Sequence, residues 1–321
     1  MERGVSIGLS NCLGSKELEE DGRGGGVRAQ VVTIRTMTMP AAIEAVRQAF
    51  IGLTAGEFDL PPRQAFGDSR SLVMAVHHRP TASTAVKVVS IEVERDPVIA
   101  GTVVFSHPEG QFTADAVPLT TLRTGAVVGV ATDLLADEDA AQLALLGAGA
   151  QAADQVRAVH AVRPLKKLVV FNRNVTRAEA LVESLRDELP DTVVDVAVDA
   201  DEAVSGADVV CCATAATVPL FRMGALKERV HVNAIGSYRP VMRELPEELL
   251  ATAGVVVVDQ VEAALSEAGE IIRAVRSGVL RLESLVELGA ALGNPPLRQG
   301  RTVFKSVGVA VQDWAVARLM A

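Results

Sequence analysis

Leu143-Ala144-Leu145-Leu146-Gly147-Ala148-Gly149-Ala150-Gln151-Ala152 reads as a strand that runs into a glycine-rich turn. From Ala150 to Val162 the apolar residues then recur at helical spacing. In such a strand–turn–helix the first glycine closes the tight turn and the second lets the backbone approach a pyrophosphate. A small third residue, here Ala152, lets the helix pack closely on the strand. The phosphates then lie at the positive end of the helix. Gly147, Gly149, Ala150 and Gln151 are the candidate contacts. The spacing by itself is a weak signal, and its weight comes from the chain on either side.

Downstream, short Val-rich runs alternate with helical ones. Strands are predicted at Leu143–Leu146, Leu168–Phe171, Val193–Val198, Asp208–Cys212, Val230–Ile235 and Val255–Val258, with helices near Ala150–Val162, Thr176–Glu188 and Pro246–Ala251. Continuous apolar strands between helices imply a parallel sheet covered on both faces. The second strand ends in Asn172-Arg173-Asn174, with no acid to hold a ribose 2′-hydroxyl. A carboxylate there repels a 2′-phosphate, whereas Arg173 pairs with one and Arg177, one turn further, adds to the same pocket. NADP(H) is therefore expected ahead of NAD(H), which stays possible. Thr214, Ile235 and Gly236 follow the fourth and fifth strands, at the carboxyl ends where open α/β sheets bind ligands.

Working outward, the first third has a different pattern. A helix is expected from Thr38 to Gly52, with Ile43, Val46, Ala49 and Phe50 on one stripe and Pro40 in its first turn. After Pro61-Pro62 come β-type runs at Ser71–Val76, Thr84–Ile91, Val98–Ser106 and Phe112–Val117, with Glu109-Gly110 as a turn signal. They read as an antiparallel meander, followed by a helix over Leu119–Leu135. At the end, Thr302–Lys305 is extended and Val309–Leu319 helical. Residues 1–30, with Gly24-Gly25-Gly26, read as a flexible leader without a secretory apolar core.

Composition narrows the class. The chain has 321 residues, 49% of them apolar and 22% charged, enough for about two domains with a sizeable core. A net charge of −9 argues against a general nucleic-acid or anionic-membrane binder. Three Cys, two of them adjacent at Cys211-Cys212, give neither a disulfide framework nor zinc-ligand spacing, so no metal is expected and a cytoplasmic setting is the simplest reading. Cys211 and Cys212 read as buried strand residues, and His77-His78, before Arg79-Pro80, as a solvated strand end.

Arg63, Lys87 and Arg123 are cations set among apolar or small residues. Lys87, between Val86 and Val88, is costly in mid-strand unless it meets an anion, and three such groups together bind a carboxylate. Several stretches in order now resemble the ornithine cyclodeaminase/μ-crystallin family: Pro61-Pro62-Arg63, Val86-Lys87-Val88-Val89, Leu122-Arg123-Thr124, Gly147–Ala152, Asn233-Ala234-Ile235-Gly236-Ser237, Arg243-Glu244-Leu245, and the C-terminal FKSVGVAVQD. The resemblance runs from about residue 38 to the end.

It implies an α/β chain with a Rossmann-type parallel-sheet domain and an α+β substrate and dimerisation domain completed by the C-terminal helix. The boundaries expected are 31–121 with 300–321 for the substrate domain and 122–299 for the dinucleotide domain. The resemblance also implies a homodimer, a substrate carboxylate held by Arg63, Lys87 and Arg123, and Lys87 and Asp313 as catalytic residues. Asp313 falls on the acid of the family's K-S-x-G-x-A-x-x-D pattern. Branches that cyclise ornithine carry acids at positions that here fall near Met74 and on Tyr238, so the ketimine-reductase side is the better match. The expected activity is NADP(H)-dependent reduction of a small α-imino or α-keto acid, first of all a cyclic ketimine such as Δ1-pyrroline-2-carboxylate. Three alternatives stay open: ornithine cyclodeamination, an alanine dehydrogenase-like activity, and a non-enzymatic cofactor-dependent binder.

Overall fold

The computed structural model describes residues 29–31, 37–67, 70–92 and 98–321. The first sheet collects β1 (Ala29–Val31), β2 (Phe58–Asp59), β3 (Gln64–Phe66), β4 (Ser71–His78), β5 (Ser83–Ile91), β6 (Ile99–His107) and β7 (Gly110–Asp115). The order is β1-β7-β6-β5-β4-β2, with β3 also on β4, and every pairing but β1 with β7 is antiparallel. The second sheet is wholly parallel. It is built from β8 (Gln142–Leu146), β9 (Lys167–Phe171), β10 (Val193–Val196), β11 (Val209–Cys212), β12 (Val230–Ala234), β13 (Val255–Val258), β14 (Leu285–Glu287) and β15 (Arg301–Lys305). Its order is β10-β9-β8-β11-β12-β15-β13-β14.

The helices are α1 (Met39–Thr54), α2 (Ala116–Leu135), α3 (Ala152–Val162), α4 (Val175–Leu185), α5 (Ala200–Ser205), α6 (Glu247–Thr252), α7 (Val261–Glu267), α8 (Gly269–Arg276), α9 (Leu288–Gly293) and α10 (Ala310–Arg318). Thr38 caps α1 and Asp115 caps α2 through its carboxylate on the Val117 amide. No helix among the described residues is long and apolar enough to cross a membrane.

Strand burial explains the two layers. In β8 and β11 alternate residues enter opposite cores: Leu143, Leu145, Val209 and Cys211 on one face, Ala144, Leu146, Val210 and Cys212 on the other. Both faces are thus covered, as a continuous apolar strand requires. In the antiparallel sheet one face is buried: Leu72, Met74 and Val76 of β4, Ala85, Lys87 and Val89 of β5, and Val103 and Phe105 of β6. That face packs against α1, α2 and α10. Helix α2 is buried nearly all round and also touches α3, β12 and β15, so it joins the two layers.

Four expectations shift. Ala29 and Gln30, assigned to a leader, pair with Gln111 and Phe112, whereas residues 1–28 of that leader lie outside the described residues. The strand expected to reach Val117 stops at Asp115, because that residue caps α2. The run Thr302–Lys305, assigned to the substrate domain, lies inside the parallel sheet between β12 and β13, and α10 alone crosses to the first sheet. His78 is no solvated strand end: it is 6% exposed and packs between Phe58 and Trp314. Alternation along β4 turns it inward with Met74 and Val76.

Candidate active site

Period-two alternation places Lys87 on the buried face of β5, in line with Ala85 and Val89. It is 2% exposed, and its Nζ donates to Asp313 Oδ1 of α10 at 2.7 Å. Arg123, on α2, approaches the same oxygen with Nε at 3.4 Å and donates from Nη1 to Gln312 Oε1 at 2.5 Å. Asp313 Oδ2 and Arg123 Nε are buried without a hydrogen-bond partner among the described residues, so the cluster keeps acceptor and donor capacity for a ligand.

Arg63 comes from the loop between β2 and β3 and reaches across to the parallel sheet. Its guanidinium pairs with Glu267 at the end of α7 and donates to the carbonyls of Tyr238 (3.2 Å) and Val307 (3.5 Å). Burial, against the opposing pull of Asp313, pushes Lys87 down to about 8, with the charges of Arg123 and Arg63 adding to the fall. Burial likewise lowers Arg123. Glu267 is pushed up to about 7 by burial, against the pull of Arg63. The three cations foreseen for a carboxylate thus lie within electrostatic reach of one another, as does Asp313.

The glycine turn lies at the carboxyl end of β8. Gly147 has φ +109°, and a Cβ there meets the Ala213 carbonyl oxygen at 2.5 Å, so only glycine fits. Gly149 faces open space, and Ala150 is exposed. Helix α3 starts at Ala152, whose amide donates to the Gly149 carbonyl at 3.0 Å, and among the described residues no side chain caps it at Gln151. Gln151 Oε1 is buried without a hydrogen-bond partner among the described residues. Asn172, at the tip of β9, accepts from the Ala148 amide at 3.2 Å and so ties the turn to the second strand. Arg173 and Arg177 are exposed and form no ion pair among the described residues. An open glycine loop, a helix start without a side-chain cap and two cations without an ion pair among the described residues fit a phosphate-bearing dinucleotide.

Close contacts connect the turn to the cations. Gly147 abuts Ala213 and Thr214; Gly236 lies so close to Thr214 that a Cβ there meets the Thr214 carbonyl oxygen at 2.1 Å; two residues on, Tyr238 receives Arg63. Ile235 is half-buried, and its amide donates to the Cys212 carbonyl at 2.9 Å. Glu244 pins this bridge, accepting from the amides of Thr214 (2.7 Å), Gly236 (2.8 Å) and Ser237 (3.2 Å). Behind it, Lys305 donates to the carbonyl of Ser237 (2.6 Å) and to its hydroxyl (2.7 Å).

Glu244, Lys305, Gln312, Glu267 and Asp259 were not among the residues expected to act. The available signal was a charged residue inside an apolar run, as at Asp259 after Val255–Val258. Met74 is buried directly across the ladder from Lys87, and Tyr238 offers its carbonyl to Arg63. Cys211 and Cys212 are buried, and burial pushes the Cys211 thiol up to about 12, far from a nucleophile.

This geometry agrees with what the chain is similar to. A Δ1-pyrroline-2-carboxylate reductase of Bacillus cereus is 40% identical over 209 residues, a match spanning 63% of this chain and 63% of the relative's length. The Thermococcus litoralis Δ1-pyrroline-2-carboxylate reductase, solved with NADH and L-proline, superposes with a TM-score of 0.85 at 28% identity, covering 91% of this chain and 96% of that one. An archaeal alanine dehydrogenase dimer with bound NAD gives 0.82 at 27%, covering 91% and 94%. The model of the ornithine cyclodeaminase/mu-crystallin family matches residues 27–321, which takes in both sheets, the glycine turn and the cation cluster, and the chain belongs to that family.

Proposed function

We propose that this chain reduces the C=N bond of a small cyclic α-imino acid, of the Δ1-pyrroline-2-carboxylate kind, with NADP(H) as the hydride source. The observation that carries the reading is the group of Arg63, Lys87 and Arg123 around Asp313, joined by the Thr214–Gly236–Tyr238 bridge to an open dinucleotide turn. When bound, the nicotinamide supplies a hydride to the imine carbon. The chain's own residues do the rest. Arg123 and Arg63 hold the substrate carboxylate, with Arg63 giving up part of its pairing to Glu267. Lys87, protonated and held by Asp313, adds charge to that grip and delivers a proton toward the imine nitrogen. Arg173 and Arg177 favour the 2′-phosphate of NADP(H) over the bare ribose of NAD(H).

The reading includes two layers acting as a substrate unit and a dinucleotide unit, a cytoplasmic setting, and a homodimer. Val88 and Val104, exposed on the outward face of the antiparallel sheet, support self-association, which size-exclusion chromatography tests. Following NADPH absorbance against cyclic ketimine carboxylates, and against keto acids with and without amines, tests the activity. Turnover is expected with the cyclic ketimine, and neither ammonia nor proline from L-ornithine with NAD. Proline formed from ornithine would move the chain to the cyclising branch. No NADPH oxidation with any imine, despite tight NADPH binding, would leave it a binder.

A further inference from the structure

Asp259 ends the run that forms β13 and is 1% exposed. A carboxylate this deep is costly unless its lone pairs are filled. Here one oxygen, Oδ2, takes three donors from a single segment: Ser306 Oγ at 2.8 Å, the Val307 amide at 2.9 Å and the Gly308 amide at 2.8 Å. The other, Oδ1, accepts from the Gln260 amide at 2.9 Å. The segment so gathered is the bend between β15 and α10, and it touches both arginines of the site. Val307 offers its carbonyl to Arg63 Nη1 at 3.5 Å. Gly308, with φ +83°, lies flat against Arg123: a Cβ added there falls 2.3 Å from Nη1. Ser306 Oγ is 3.5 Å from Gln312 Nε2, and Gln312 Oε1 takes Arg123 Nη1 at 2.5 Å. The Asp259 charge also favours the protonated guanidinium of Arg123.

We infer that Asp259 is a positioning residue that sets Arg63 and Arg123 for the substrate carboxylate by folding residues 306–308 beneath them. The inference rests on the proposed imino-acid reductase reading. The glycine turn makes none of these contacts, so its hold on the dinucleotide phosphates is expected to survive the loss of Asp259. An interaction that holds the substrate equally in ground and transition states appears in KM and leaves kcat in place. Asn at this position has one acceptor and one amide: either the Gln260 amide or the three donors then face an N–H, and the segment relaxes.

The test is steady-state kinetics of Asp259→Asn with a cyclic ketimine carboxylate, alongside NADPH affinity by fluorescence and the melting temperature. KM is expected to rise about tenfold or more, with kcat within about threefold and NADPH affinity unchanged. Ser306→Ala, which removes one donor and keeps both amides, is expected to raise KM by a smaller factor. It serves alone if Asp259→Asn does not fold. An unchanged KM in Ser306→Ala together with an unchanged KM, or no folded protein, for Asp259→Asn overturns the inference. Equal losses of kcat, NADPH binding and melting temperature overturn it too, as the mark of a purely structural role. A wild-type protein without imine turnover strikes the function reading instead.

Discussion

The turn at Gly147 and the cluster around Lys87 are both proposed to meet an anion, with opposite materials. The turn uses backbone amides and a helix end within one stretch of chain, and its two arginines stand free in solvent. The cluster uses buried and half-buried side chains from β5, α2, α10 and the loop before β3, joined across 226 residues between Lys87 and Asp313 and 244 between Arg63 and Val307. Solvated cations cost little and contribute selectivity; buried ones are costly and persist only with partners in place. A substitution of an exposed arginine beside the turn is therefore expected to act on cofactor binding alone, and one in the cluster on chemistry and stability together.

The sharpest way to break this contrast is Lys87→Ala. Turnover is expected to fall by about a thousandfold or more, which single-turnover absorbance measures. Stability is expected to drop by about 3 kcal/mol in chemical denaturation, because Asp313 is left buried with Arg123 at 3.4 Å. Adding Asp313→Asn is expected to return most of that stability and none of the turnover. Recovery of activity in the double variant would mean that Lys87 serves only to neutralise Asp313.

Next comes Gly147→Ala. The side chain meets the Ala213 carbonyl and forces φ away from +109°, so NADPH affinity is expected to weaken about a hundredfold, at a strain of about 2 kcal/mol. Wild-type affinity would show that the turn carries no phosphate. Arg173→Ala is expected to cost NADPH about tenfold, or 1.4 kcal/mol, and NADH less than twofold. Equal losses for both cofactors would remove the 2′-phosphate from its role.

The smallest effect is in the pH profile. Imine reduction needs the protonated Lys87, and amine oxidation the neutral form. With Lys87 at about 8, reduction at fixed NADPH is expected to fall as pH rises through about 8, and the reverse reaction to rise over the same range. Glu267, at about 7, titrates nearby and broadens the lower limb. Like-signed profiles in the two directions would take the proton transfer away from Lys87.

The same contrast decides what was legible in the sequence. The glycine turn, its strand and the arginine after β9 could be read locally, because turn, helix end and cation lie within about 30 residues and each has a compositional signature. Lys87 stood out because a lone cation in mid-strand breaks the pattern, although its partner came through a family pattern and not through spacing. Glu267, Gln312 and Asp259 stayed hidden: each is an ordinary polar residue at the end of an element or on a helix, made special by what another segment brings to it. His78 was misread because Arg79-Pro80 signals an exposed turn, while alternation along β4 points the ring inward.

Strand β15 sits between β12 and β13, although it follows every other strand of this sheet in the sequence. While residue 305 is still being synthesised, β13 and β14 have no edge on which to attach, since β12 pairs with β15 and not with them. The parallel sheet therefore cannot assemble in sequence order from its amino end; β13 and β14 wait, with the β13 edge unpaired, for β15. The chain after β15 also brings Ser306, Gly308, Gln312 and Asp313, so the strand that closes the sheet leads into parts of the proposed anion pocket. A chain cut before Arg301 is expected to lose the closed sheet and the proposed anion pocket together.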